Sequence, residues 1–304
     1  MNIKKIYSAA ALLLLLVILV SAALSSCSGE FVAHIFKKPE ILTDDPAVDG
    51  CKSIDTTPSD PDEPYSYTPF TPSERVVAFT FDDGPSANTA KILDKIEPDG
   101  SRVTFFTVGN NLKEAYLPSV KRASDIGCIV GVHALTHKYY ADLIDQSKET
   151  IYAETHGVAD SIEKITGKRP CVMRPVGGNF SKTFDYGFAL ILWDVDSRDW
   201  DYYGQFNKGK ISRDECVDSI YNEVINDILA PDASGEATKH KTGKIILMHD
   251  IYPTTVDAFI KIYDRLSAEG YTFVTVEELL GPLDRAQNYY FYNTKSAGYN
   301  GKSL

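Results

Sequence analysis

Seven short apolar runs, each followed by a helix-patterned segment, predict an α/β fold: a parallel sheet covered by helices. A second observation sharpens this. Five of the runs end directly in polar groups of distinctive chemistry, as expected where parallel strands all open on one face. Closed on itself the sheet is a barrel; left open it is doubly wound. No internal repeat is visible.

The strand runs are 76–81, 103–108, 128–132, 170–173, 189–195, 244–248 and 272–276. Helices are expected at 87–97, 112–125, 144–166, 180–187, 212–229, 254–269 and 276–280. In the third of these, Ile144, Ile151, Val158, Ile162 and Ile165 form one apolar stripe. Segment 231–242 is polar and reads as a surface insertion. The 304 residues, 43% hydrophobic, can build a large core. The net charge of −11 argues against a nucleic-acid binder, which would carry a basic patch.

The chain begins with an address. Lys4 and Lys5 precede an apolar run at 9–20 and a small-residue stretch at 21–26, the order of an export signal. The run is short for a membrane span. Leu24-Ser25-Ser26-Cys27, closing a signal segment at 1–27, resembles a bacterial lipoprotein box, which implies that Cys27 becomes the lipidated first residue of the mature chain; an uncleaved anchor or plain secretion are the alternatives. All three put the body outside the cytoplasm. Residues 28–72, rich in Pro, Asp, Ser and Thr, read as a solvated tether. Of the remaining cysteines, Cys51, Cys128, Cys171 and Cys216 allow three full pairings. Cys128 and Cys171 lie in apolar runs and are expected to act as small buried hydrophobes.

The strand-end groups carry the chemistry. Asp82-Asp83 end the first run and Gly84-Pro85 turn the chain. Adjacent acids repel in a dry site and call for a cation or an arginine. His133 and His137, four apart, can aim at one point and with a carboxylate form the three-ligand arrangement of catalytic zinc. Ordinary hydrogen-bonded histidines would share that spacing. Arg174 can neutralise the acid left off the metal, or make a surface ion pair. Asp199 can orient a histidine or cap a turn, and Trp200 can wall a pocket or fill core. His249-Asp250 can be an acid–base pair, or Asp250 can cap the next helix.

TFDDGP (80–85), HxxxH (133–137), RPxxG (174–178), DxxDW (196–200) and LxHD (247–250), in that order, resemble the polysaccharide deacetylases, the NodB-homology domain of carbohydrate esterase family four. The resemblance covers residues 73–281 and leaves 282–304 as a Tyr-rich tail. It implies a distorted (β/α)7 barrel of parallel strands. It also implies a divalent metal, Zn2+ with Co2+ or Ni2+ as alternatives, held by Asp83, His133 and His137. Asp82 would be the base and His249 the acid; Arg174 would hold Asp82, and Asp199 would orient His249. Trp200, Leu247 and Gly177 would line the substrate pocket. The implied partner is an acetylated extracellular glycan, first N-acetylglucosamine in peptidoglycan, with chitin oligomers or O-acetyl xylan next. A glycan-binding lipoprotein without catalysis is the alternative of another class. Three positions depart from the family's usual pattern: Val132 before the first histidine, Ala134 after it, and Gly177 where an aromatic residue is common.

Overall fold

The structure, a computed structural model, describes residues 75–139, 147–180, 186–229, 243–281 and the backbone of 288–289. The export segment with Cys27, the tether, the insertion at 231–242 and most of the tail lie outside the described residues.

The sheet is built around β1 (Val76–Asp82), buried along its whole length. A strand covered on both faces should be continuously apolar, and 76–81 nearly is. One edge of β1 pairs with β7 (Lys244–His249) from Val77 to Asp82. The other edge is shared: β8 (Thr272–Phe273) pairs with Val76 and Val77, and β2 (Thr104–Val108) with Thr80 to Asp82. From β2 the sheet continues through β3 (Ile129–Ala134), β4 (Val172–Met173), β5 (Ala189–Ile191) and β9 (Asn288–Tyr289). On the far side β6 (Val195–Asp196) pairs with β7. All pairings are parallel. The order is β6-β7-β1-β2-β3-β4-β5-β9, a distorted barrel whose open edges, among the described residues, are β6 and β9.

Alternation along β1 separates two apolar layers. Phe79 and Phe81 point outward to the helices, where Phe259 meets their rings edge-on at 5.0 and 5.1 Å. Val76 and Ala78 point inward, with Phe106, Val172, Ala189, Ile191 and Ile245. Thr80 and Asp82 share that alternation, so the last inward position of β1 is a carboxylate.

The helices are α1 (Thr89–Ile96), α2 (Leu117–Asp125), α3 (Lys148–Thr166), α4 (Asp199–Asn207), α5 (Arg213–Leu229), α6 (Pro253–Ala268) and α7 (Val276–Leu280). In α3 the stripe buries Ile151, Val158 and Ile162 as its spacing requires. Among the described residues no helix is long and apolar enough to cross a membrane.

Five features differ from the sequence expectations. The run 189–195 is two strands, β5 and β6, broken at Leu192–Asp194. The tail contributes β9, whose backbone pairs with β5. The described part of 180–187 is not helical, and α4 was not anticipated. Cys128 and Cys216 are buried free thiols, but Cys171 is disulfide-bonded, its partner lying outside the described residues.

Candidate active site

The register sets the first pair. Asp82 and His249 are cross-strand partners on β1 and β7, so both side chains emerge side by side at the barrel mouth. On the other flank Val132 pairs with Met173, which puts His133 beside Arg174.

Arg174 is wholly buried, which excludes a surface ion pair. Its Nη1 donates to Asp82 Oδ1 at 2.8 Å and to Thr80 Oγ1 at 2.6 Å. Its Nε donates to the Ile191 carbonyl at 3.1 Å and its Nη2 to the Leu192 carbonyl at 2.8 Å. The guanidinium thus satisfies backbone where β5 ends and pins one oxygen of Asp82. Burial lowers the Arg174 pKa, against the opposing charge of Asp82.

Asp83 turns the other way. Its φ of 72° is left-handed, as is that of His137 at 57°; Arg198, just before Asp199, has φ 52°. Among the described non-glycine residues these three alone have positive φ. Such backbone costs about 1–3 kcal/mol per residue and collects at functional sites. The turn is held in place: Asn111 Nδ2 donates to the Asp83 carbonyl at 2.7 Å, and Val108 N–H to the Gly84 carbonyl at 2.9 Å. Gly84 is obligatory, since a Cβ there would lie 2.5 Å from both carboxylate oxygens of Asp250.

Asp83 Oδ1 lies 2.9 Å from His137 Nε2 and 3.3 Å from His133 Nε2, and ligand atoms of all three lie within 4.8 Å of one another. The carbonyl of Arg174 can only accept, so His133 Nδ1, 2.7 Å away, carries the proton and Nε2 presents its lone pair. Asp83 Oδ1 is buried without a well-formed hydrogen bond. Burial would raise the Asp83 pKa, but the two histidines hold the carboxyl well below the usual range, and Asp83 in turn raises that of His137. A buried carboxylate oxygen with no well-formed hydrogen bond, facing the Nε2 atoms of two histidines, fits a divalent cation.

Glu154, on α3, was not singled out by the sequence. It is buried; its Oε2 accepts from the N–H groups of Leu135 and Thr136 at 3.0 and 2.8 Å, and its Oε1 from the Thr136 hydroxyl at 2.7 Å. It therefore fixes the loop between the two histidines. Ala134 offers no hydroxyl for that task.

At the other end, Asp199 Oδ1 accepts from His249 Nδ1 at 2.7 Å, and its Oδ2 from His249 N–H and the Thr255 hydroxyl at 2.7 and 2.8 Å. Burial would lower the His249 pKa; the charge and hydrogen bond of Asp199, with Asp83 and Asp82 beyond, push it up to about 10. Asp250 neither pairs with His249 as acid and base nor caps α6. It is fully buried and accepts from the Thr89 hydroxyl, and burial pushes its pKa up to about 7. Its carbonyl takes Ser86 Oγ at 2.8 Å and Asn88 Nδ2 at 3.1 Å, clamping the Gly84-Pro85 turn. Leu247 is buried beside Thr80 on β7, Trp200 is 44% exposed at the start of α4, and Gly177 is exposed in the turn after Arg174.

A parallel barrel with a carboxylate–histidine–histidine centre and an adjacent Asp–His pair defines the class. A polysaccharide deacetylase family model matches residues 70–189. The chain is 32% identical over 218 residues to a peptidoglycan-N-acetylglucosamine deacetylase of Bacillus cereus, an alignment covering 69% of this chain and 72% of that protein. It is 32% identical over 211 residues to the peptidoglycan-N-acetylmuramic acid deacetylase PdaC of Bacillus subtilis, covering 68% of this chain but only 39% of PdaC. The solved PdaC structure superposes with a TM-score of 0.56 over 69% of this chain and 91% of that one, at 32% identity. A family 4 acetyl xylan esterase from Clostridium thermocellum, solved with a cobalt ion, gives 0.54 over 67% of this chain and 89% of that one, at 26% identity. The chain belongs to the polysaccharide deacetylase family.

If Glu154 positions the histidine loop, Glu154→Ala should weaken zinc binding by about 10–100-fold while the protein stays folded. Competition with a chromophoric chelator, alongside circular dichroism, measures this; unchanged affinity would refute the role.

Proposed function

We propose that the protein is a divalent-metal-dependent deacetylase of an extracellular glycan, with N-acetylglucosamine in peptidoglycan as its substrate. The observation that carries this is the pairing of Asp82 with His249 across β1 and β7, next to the Asp83–His133–His137 centre. The names of the Bacillus relatives support a peptidoglycan substrate, and that of the Clostridium esterase keeps O-acetyl xylan as the second reading.

The reaction adds water to the acetyl carbonyl carbon and breaks its bond to nitrogen, releasing acetate and a free amine. A cation held by Asp83, His133 and His137 would supply Lewis acidity, lowering the pKa of a water and polarising the carbonyl. Zinc suits two imidazoles and a carboxylate, with cobalt or nickel as substitutes. Asp82 takes the proton of the attacking water on Oδ2, the oxygen Arg174 leaves free. A main-chain N–H near Gly177 faces the oxyanion. His249, held through Nδ1 by Asp199, gives its Nε2 proton to the departing nitrogen, which leaves poorly as an anion. Leu247 and Trp200 wall the acetyl group.

We place the enzyme outside the cytoplasm, tethered by a lipid on Cys27 through residues 28–72. The signal-like N-terminus supports this, and so does the disulfide at Cys171, a bond typical of oxidising compartments.

Acetate release from peptidoglycan, chitin oligomers and acetylxylan, with and without chelator, tests the activity. Chelator-sensitive release, highest on peptidoglycan, is expected. No release from any glycan by zinc-loaded protein would overturn the enzyme reading in favour of a binding lipoprotein.

The acid must be protonated to act, and its raised pKa keeps the proton on up to about pH 10. Asp199→Asn removes the charge that raises it, so the alkaline limb of kcat/KM should move to lower pH by about 1–2 units. A cation at the Asp83 centre offsets Asp83 and Asp82 and lowers the limb of both enzymes alike. An unmoved limb in the variant would contradict the assignment.

A further inference from the structure

Gly177 is exposed, left-handed at φ 60°, and closely covered. A Cβ built there would lie 2.5 Å from Tyr139 Cε1 and 3.3 Å from Cδ1, closer than real side chains approach. The ring of Tyr139 therefore occupies the space that any other residue at 177 would need. Among the described residues Tyr139 is the most exposed large hydrophobic, at 53%. A single exposed aromatic is ordinary; the location of this one is not. It follows the ligand His137 by two residues and rests on the turn that follows Arg174, so it forms the rim of the metal centre on the β3–β4 side. Tyr152, also exposed, is accounted for by its stack on His156 at 4.3 Å.

The sheet order gives the rim a direction. Trp200 follows β6 and Tyr139 follows β3, on opposite sides of β1, whose tip carries Asp82 and Asp83. A linear glycan that presents an acetyl group at that tip can run from one aromatic to the other. The face of a pyranose bears C–H groups, and a flat ring with one face in water is a surface on which such a sugar desolvates at little entropic cost.

We propose that Tyr139, admitted by the missing side chain of Gly177, is a specificity-determining platform that stacks on the sugar next to the one being deacetylated. This rests on the glycan substrate proposed above. Tyr139 takes no part in proton transfer; it sets how well a chain of sugars binds.

The test is steady-state acetate release from N-acetylated chitin oligomers of two to five sugars by zinc-loaded enzyme. Tyr139→Ala should raise KM for the longer oligomers by about 10-fold with kcat nearly preserved, and Tyr139→Trp should restore KM. A Tyr139→Ala enzyme with unchanged KM overturns the proposal. So does one that loses kcat and zinc affinity together, since that marks a support for His137 and not a sugar platform. Wild-type enzyme inactive on every oligomer yet active on peptidoglycan overturns the platform for this sugar chain and leaves the deacetylase reading intact; inactivity on all glycans removes both.

Discussion

One buried cation organises the molecule. The Arg174 guanidinium has no contact with solvent, and each of its three nitrogens has an acceptor: Asp82, Thr80 and the carbonyls of Ile191 and Leu192. The Phe106 ring packs at 4.3 Å from its centre and that of Trp193 at 5.5 Å. Removing one partner of a buried pair costs about 3–5 kcal/mol, because the other is left charged and dry. Arg174 also lends its own carbonyl to His133 Nδ1. The same residue thus ties the barrel where β5 ends, pins the carboxylate at the tip of β1 and fixes the tautomer of a metal-site histidine.

This explains how two adjacent acids coexist. Asp82 ends the inward face of β1 and is committed to Arg174. Asp83, through a left-handed backbone, faces the two histidines instead. Neighbours in sequence are separated in environment, one neutralised by an arginine inside the barrel and the other placed for a cation at its mouth. The strain at Asp83 and His137 is tolerated because Asn111, Val108 and Glu154 hold the flanking backbone, and because Asp250 fills the space under Gly84.

The legible part of this was chemical. Runs such as 76–81 and 244–248 are apolar on both faces because both faces are covered, and the polar groups at their ends stand out for that reason. The distances between β1, β3, β4 and β7 in the chain do not matter once all strands run parallel. What escaped notice had weaker signals. The helix α4 has no apolar stripe and holds a glycine at 204; its start is set by Asp199, which is tied to His249 through tertiary bonds. Glu154 sits on the expected stripe-bearing helix, and nothing in its neighbours marks it as facing a loop. Asp250 stands beside His249 in sequence but one residue past the end of β7, in a turn that sends its carboxylate to Thr89 and not to His249. The pair β5–β6 was hidden because its break at Leu192–Asp194 contains apolar residues that serve Arg174 and the core.

The division of labour between Asp82 and Asp83 is the central claim, and zinc titration calorimetry combined with acetate release on Asp82→Asn and Asp83→Asn tests it most directly. The account predicts that Asp82→Asn binds zinc nearly as wild type while turnover falls by about 10²–10⁴-fold, and that Asp83→Asn loses zinc affinity. Equal loss of zinc in both variants, or full turnover in Asp82→Asn, would contradict it.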